Sequence, residues 1–365
     1  MKNSSQEKGV LIVGGYGHVG RLLAAELAPY FPDQVVVAGR NSDRAWALAD
    51  EIGHGTCGIE LDVTDPEAVN KALKSIALVV CCIDQEEPHL LRLAVEHGLA
   101  YIDISAELDL WMTAHDLNDE AKRTGARVLI GAGLVPGLAG VMAREAVART
   151  GPGTSVDVGI LLSIGDNFGP AALDWMLGTA GREFTITEHG QPRQVQGLKE
   201  KRKMRFPEPI GTCTVHRFAI PDQIFYPDTL GVQRAGSWVV LQPGWIGKMF
   251  PLLVQSVPGR LFYWSWFRQR MMRLFGWLQR RYAGHDTYSL VVEAEGPGGA
   301  AGVSVVSQNE SSGTAISAAM MARALIADGE ILPGVSLPEQ IFGPKEFFTE
   351  LDKRGISVQH VDLMT

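Results

Sequence analysis

The chain has 365 residues, 46% of them hydrophobic and 20% charged, with a formal charge of −8. That length and apolar content suit two domains with substantial cores and exclude a disordered polymer. The negative balance repels nucleic-acid phosphates, so no nucleic-acid partner is expected and any bound anion must be met by local donors and a few well-placed cations.

The first third alternates strands and helices. Val10 to Val13 reads as a buried strand, Arg21 to Ala28 as a helix, "QVVVAG" from Gln34 as a second strand and "DRAWALADEI" from Asp43 as a second helix. The alternation continues through a strand over Gly58 to Leu61, a helix opened by Asp65 and Pro66, the strand "ALVVCCI" from Ala77, and a helix over Pro88 to His97. It ends with the strand "AYIDI" from Ala100, a helix over Leu108 to Thr124 and the strand "ARVLIGAG" from Ala126. Repeated βαβ units demand a parallel, doubly wound Rossmann-type sheet covered on both faces, which places the chain in the α/β class. Beyond "GAGLVPGLAG" the pattern becomes strand-like. The runs start at Ser155, Glu183, Thr212, Ser237 and Thr287, and turn signals at His189-Gly190 and Pro297-Gly298-Gly299 mark two hairpins. A second, α+β domain with a mostly antiparallel sheet follows, and then an Ala-rich helix over Gly313 to Asp328.

Gly15-Tyr16-Gly17-His18-Val19-Gly20 fits G-x-G-x-x-G between a predicted strand and helix. Gly15 is expected to make the tight turn, Gly17 to let the backbone approach a pyrophosphate, and Gly20 to let helix and strand pack closely. Gly14, Tyr16, His18 and Val19 complete the cradle, and the phosphate charge is met by N–H groups at the helix N-terminus. A Walker sequence aligned on Gly15 and Gly20 would need Lys-Ser/Thr where Arg21-Leu22 stands, which disfavours a nucleoside triphosphate. The second strand ends Gly39-Arg40-Asn41-Ser42 with no carboxylate for a ribose diol. Arg40 can instead fork onto a 2′-phosphate, with Asn41 and Ser42 donating, so NADP is the expected cofactor. Asp62 stands either at the adenine edge or in a helix-capping segment.

The segments "VLIVGGYGHVGR", "VVVAGR", "YIDISAE", "GAGLVPGLAG" and the ending from "GTAISAAMMARALIADGEILPGVSLPEQIFGPKEFFTELDKRGISV" resemble, in that order, the saccharopine dehydrogenase-like (saccharopine reductase) superfamily. The resemblance implies a dinucleotide-binding Rossmann domain over 1–133 and 314–365, the C-terminal segment returning to it, and an inserted α/β substrate and dimerisation domain over 134–313 that often makes a dimer. It also implies NAD(P)H-dependent reduction or oxidation of a C–N bond between an amino acid and a carbonyl partner, with a branch of trans enoyl reductases on lipid-like substrates. The family's Asp-Pro-Gly is Val135-Pro136-Gly137 here, and its Ser-Gly-Glu is Ser105-Ala106-Glu107.

Ligands of such sheets lie at the carboxyl ends of the strands, which here carry Cys82, Ile83-Asp84-Gln85, Asp103, Ser105, Glu107 and the Gly133 to Gly137 segment. Cys82, Ile83, Pro136 and Gly137 are therefore candidate cofactor contacts, the last two being equally an anion site or a helix start. Asp103 or Glu107, with Ser105, could supply the proton that imine or enone reduction needs; a loop capping the next helix is the other reading of Asp103 and Ser105. Arg144, Arg182 and Arg193 are candidate cations for a carboxylate-bearing small-molecule substrate. No G-x-S-x-G, H-E-x-x-H or C-x-x-C occurs, so hydrolase and metal sites lack their marks.

"GRLFYWSWFRQRMMRLFGWLQRRY", residues 259–282 within a longer aromatic and basic stretch (245–283), puts Trp264, Phe267, Met271, Leu274, Phe275, Leu278 and Tyr282 on one side of a helix. Trp266 and Trp277 fall with arginines on the other. It could cover a cleft or dimer contact, act as a lid over an apolar substrate, or meet anionic lipid. A homodimer is expected. Four cysteines, two adjacent in an apolar run, a polar N-terminus and no uninterrupted apolar run of about 20 residues point to a cytoplasmic protein. Three functions stay open: an NADPH-dependent reductase of a C=N bond, an enoyl reductase on a lipid or polyketide-like substrate, and a dinucleotide-binding sensor without catalysis.

Overall fold

The computed structural model describes residues 9–85, 87–151, 153, 155–166, 169–256, 264–282, 285–327 and 329–361. In chain order it runs β1 (Gly9–Val13), α1 (His18–Leu27), β2 (Val35–Gly39), α2 (Ser42–Ile52), β3 (Cys57–Glu60), α3 (Pro66–Leu73), β4 (Ile76–Cys81), α4 (His89–Glu96), β5 (Ala100–Asp103), α5 (Leu108–Asp116), α6 (Asn118–Thr124) and β6 (Arg127–Ile130). There follow α7 (Leu138–Thr150), β7 (Ser155–Ser163), α8 (Pro170–Thr179), β8 (Glu183–Glu188), β9 (Gln191–Gln196), β10 (Lys201–Arg205), β11 (Thr212–Arg217), α9 (Asp222–Leu230) and β12 (Arg234–Gln242). The chain closes with α10 (Gly244–Ser256), α11 (Ser265–Arg281), β13 (Thr287–Gly296), β14 (Gly299–Gln308), α12 (Glu310–Ala327), β15 (Gly334–Ser336), α13 (Pro338–Ile341), α14 (Pro344–Asp352) and β16 (Val358–Val361).

These elements gather into two compact units, 1–137 with 314–341 and 138–313 with 342–365. The expected assignment put 314–365 with the first unit. Residues 342–365 belong instead to the second, because β16 pairs antiparallel with β14 from Gly302↔Val361 to Val305↔Val358.

In the first unit the strands lie parallel in the order β15-β6-β5-β4-β1-β2-β3. The order reverses between β1 and β4, the switch point at which such sheets take ligands. Every residue of β1 is buried, as an apolar run between two helix layers requires. Helix α1 buries Gly20, Leu23, Ala24 and Leu27, one face at helical spacing. The single helix expected over 108–124 is two: Leu117, in the non-helical pair of angles φ −84°, ψ 0°, separates α5 from α6, and the poor helix formers Asp116, Asn118 and Asp119 surround it.

The second unit carries a mixed sheet ordered β10-β11-β12-β7-β13-β14-β16, with β8 pairing β12 and β9. Its pairs are antiparallel except β7 with β12. The β8–β9 turn falls at His189-Gly190, both at positive φ (52° and 72°), as a two-residue hairpin turn demands. At the sheet's centre Asp157, 2% exposed on β7, accepts from Trp238 Nε1 at 2.7 Å and from Arg234 at 2.8 and 3.2 Å, and pairs with Arg202. Arg202 also reaches Glu293 at 2.7 Å. A carboxylate shared by two guanidiniums is tolerated in a core because each charge is met; removing it takes the buried acceptor from Arg234 and an indole N–H and leaves Arg202 with Glu293 alone. Asp157→Ala is therefore expected to lower unfolding stability by about 3 kcal/mol in a denaturant titration.

Candidate functional site

Gly14 takes the left-handed conformation at φ 73°, so the turn expected at Gly15 sits one residue earlier. A Cβ on Gly14 would fall 2.4 Å from Ile83 Cγ2 and 3.2 Å from the Cys82 carbonyl, so the end of β4 is packed onto the turn. Gly15 is buried against Val37, and a Cβ on Gly20 would fall 2.3 Å from the Gly14 carbonyl oxygen. Gly17 is the exposed N-cap of α1, donating to the Gly14 carbonyl at 2.8 Å, and no side chain caps the helix. Helical bonding begins with Arg21 N–H to Gly17 O at 3.1 Å, leaving the Val19 and Gly20 N–H groups ahead of it directed out of the helix end. That end is a preformed anion cradle, and backbone N–H groups with a helix dipole suit a pyrophosphate. His18 and Val19 lie half-buried in its first turn.

The adenosine-phosphate end is built around Tyr16. Its ring lies against Gly39, where a Cβ would come within 2.5 Å of Cε1, and its hydroxyl accepts from Asn41 N–H at 3.0 Å. Asn41 caps α2 by accepting from Arg44 N–H at 2.8 Å, so its carbonyl oxygen is committed to the helix and only its amide nitrogen suits a phosphate. Ser42 opens the helix, half-buried, and Arg40 is exposed beside it. Sequence reasoning missed Arg44, in the first turn of α2, whose guanidinium carbon sits 4.6 Å from the Tyr16 ring centre. The available signal was a cation in the first turn of a helix, where the dipole opposes it unless an anion is to be bound. Asp62 accepts from Thr64 N–H at 2.9 Å and Thr64 Oγ at 2.7 Å; these bonds, and then Arg40, hold its carboxyl below the usual range. The helix cap of this segment is Asp65, not Asp62.

At the ends of β4 and β5 lies a buried polar chain. Gln85 Nε2 donates to Tyr101 Oη at 3.0 Å, Tyr101 donates to Asp103 Oδ2 at 3.0 Å, and Ser105 N–H donates to Asp103 Oδ1 at 2.7 Å. Asp103 is fully buried, and burial raises its carboxyl from 3.8 to about 6 against the pull of Ser105, Tyr101 and Cys81. With no exposed surface it is placed to hold the 104–107 loop rather than to reach a ligand. Glu107 is half-exposed at the N-cap of α5. Gln85 stands at the strand end expected to approach a ligand; Tyr101 was not foreseen, since a tyrosine in an apolar strand reads as core.

Gly133 and Gly137 form a short parallel bridge, and a Cβ on Gly137 (φ 137°) would overlap the Gly133 carbonyl at 1.9 Å, so the segment doubles back on itself. Pro136 packs beside Gly131 and α7 starts at Leu138; Pro136 and Gly137 shape a turn before that helix. Of the three candidate substrate cations, Arg193 is spent on Glu188 (3.0 Å) and Glu200, Arg144 donates to the Phe342 carbonyl at 3.1 Å, and Arg182 is exposed. The expected helix at 259–282 is α11 from Ser265, preceded by α10; residues 259–263 lie outside the described ones.

Comparison with known proteins shows a likeness in the dinucleotide-binding domain and in the fold. Residues 10–129 match the family model described as the saccharopine dehydrogenase NADP binding domain. No curated protein matches the sequence significantly. Among solved structures, the apo, histidine-tagged saccharopine dehydrogenase (L-Glu forming) from Saccharomyces cerevisiae superposes with a TM-score of 0.67 at 16% identity, over 97% of this chain and 100% of its own. Pen from Bacillus thuringiensis (TM-score 0.31, 14% identity) covers 34% of this chain and 49% of its own. A short-chain oxidoreductase from Pseudomonas aeruginosa (TM-score 0.30, 13% identity) covers 34% and 68%.

Folding favours the protonated Asp103, so its stabilisation is full below pH of about 3.8 and is lost as pH rises through about 6. Asp103→Asn is expected to flatten the fall in melting temperature across that window, removing a dependence of the order of 3 kcal/mol.

Proposed function

We propose that this chain, which is similar to saccharopine dehydrogenase in its dinucleotide-binding domain and in its fold, is an NADP(H)-dependent oxidoreductase acting on the C–N bond of an amino-acid-like imine or secondary amine. One observation carries the cofactor half: an uncapped helix N-terminus behind a left-handed glycine turn stands in the same unit as Arg40 and Arg44, at the end of a strand that offers no ribose-binding carboxylate. The donor set fits NADP(H). Val19 and Gly20 N–H groups would hold the pyrophosphate, and Arg40, Arg44 and the Asn41 amide the 2′-phosphate. The bound nicotinamide would supply hydride chemistry. The likeness to the yeast saccharopine dehydrogenase supports the C–N half of the reading.

The protein's own contribution is positioning and a proton. Gly14, fixed against Ile83, orients the cradle relative to the strand ends. Asp103 acts as a positioning residue, its carboxyl tying Tyr101 and the Ser105 backbone so that the loop presents Glu107. Glu107, the half-exposed carboxylate of the pair, is the proposed acid that protonates the nitrogen of the C=N bond as its carbon is reduced, the C–N bond remaining intact.

Calorimetry with NADPH and NADH tests the cofactor assignment. Arg40→Ala and Arg44→Ala are each expected to weaken NADPH binding by roughly 10- to 100-fold, the worth of a charge-assisted hydrogen bond, with NADH little changed. Equal losses for both nucleotides would remove the 2′-phosphate assignment. NADPH oxidation across a panel of 2-oxo acids paired with amino acids, and of enoyl thioesters, separates the reaction classes: turnover confined to enoyl thioesters replaces C–N with C=C chemistry, and tight binding without turnover leaves a sensor. With an active pair in hand, Glu107→Gln is expected to lower kcat by about 100-fold at unchanged NADPH affinity.

A further inference from the structure

We propose that the α10–α11 face of the second unit docks on the surface of bilayers containing anionic phospholipid, the helices lying among the headgroups rather than crossing. Residues 229–285 contain eight Lys or Arg and no Asp or Glu, in a chain whose formal charge is −8. Helix α11 turns Phe267, Met271, Phe275 and Leu278 inward, with Phe275 edge-on to Phe250 of α10 at 5.6 Å. At the other end of the pair Trp245 Nε1 donates to Tyr282 Oη at 3.2 Å, so the two helices run side by side and in opposite directions.

The outward stripe of α11 is Trp266, Arg270, Arg273, Trp277 and Arg280, a 4-3-4-3 spacing that keeps all five on one side of the helix. Neighbouring α10 exposes Trp245, Met249 and Leu252 at the same kind of spacing, and these three with Trp266, Leu274 and Trp277 are 45–62% exposed. Among the described residues no ion pair engages Arg270, Arg273 or Arg280, whereas Arg268, on the flank, is tied to Asp174 at 3.3 Å.

Indole rings and arginines mixed on one acid-free face match the membrane interface: tryptophan settles at headgroup depth and guanidinium forks onto phosphate. A two-fold contact between copies of the chain through this face would set cations against cations, so self-association does not fit it. Among the described residues no helix is long and apolar enough to cross a membrane, which leaves the in-plane arrangement.

Sedimentation of the full chain with vesicles tests this. Binding is expected to vesicles of phosphatidylcholine with about 30% phosphatidylglycerol, with a blue shift in tryptophan emission, and to be at least about tenfold weaker on phosphatidylcholine alone or in about 0.5 M salt. The Arg270→Glu, Arg273→Glu, Arg280→Glu variant is expected to bind roughly 100-fold more weakly or worse, and Trp266→Ala with Trp277→Ala to lose the emission shift. All substituted positions are exposed, and an unchanged melting temperature verifies that the variants are folded. Failure of the unaltered chain to bind anionic vesicles, undiminished binding by the triple variant, or a concentration-dependent dimer abolished by the double Trp variant would each overturn the proposal. NADPH binding is read separately, so these outcomes leave the redox reading untouched.

Discussion

The contact on which the first unit depends is the approach of the α1 N-terminus to the glycine turn after β1. With Gly20 under the Gly14 carbonyl and Gly14 under Ile83, no side chain fits between helix, turn and neighbouring strand. Two consequences follow from one steric fact. The helix starts close against the sheet at its switch point, and its first N–H groups are left without a side-chain cap. Exposed backbone donors with the positive end of a helix dipole constitute an affinity for anions that exists before any ligand arrives.

The rest of the proposed site sorts by what each group can reach. Tyr16 fills the space over Gly39, accepts from the Asn41 N–H at the start of α2 and lies under the Arg44 guanidinium. Asp103 is drawn inward by Tyr101 and the Ser105 N–H, and its burial keeps it closer to neutrality than an ordinary aspartate. A buried, hydrogen-bonded carboxylate orders a loop well and transfers protons to a ligand poorly, which is why Glu107 rather than Asp103 is the proposed acid.

Much of the first unit is legible in the sequence because its signals are local: an apolar run, a glycine pattern and a capped helix each declare themselves within about ten residues. The shift of the left-handed turn from Gly15 to Gly14 escapes the pattern because both are glycine and only packing against Ile83 decides. Arg44 and the Gln85–Tyr101–Asp103 chain escape it because they join residues far apart in sequence or read as ordinary surface and core. In the second unit β10, "KRKMR", carries a single buried residue, Met204, and α9 contains Pro227, so neither has a clean period to read. Residues 342–365 were misassigned because β16 has a weak pattern of its own and gains its place only by pairing with β14.

The second unit segregates charge along the chain: carboxylates pair with Arg202, Arg217 and Arg234 in the sheet, while α10 and α11 keep a cationic, aromatic face without acids. The central claim, however, rests on the glycine turn. Hydrogen–deuterium exchange with saturating NADPH tests it most directly. The account expects slowed exchange confined to peptides covering residues 14–21 and 39–45, where backbone donors and the two arginines would close on phosphate. Nucleotide binding that leaves both segments unprotected, with slowing elsewhere, would contradict it.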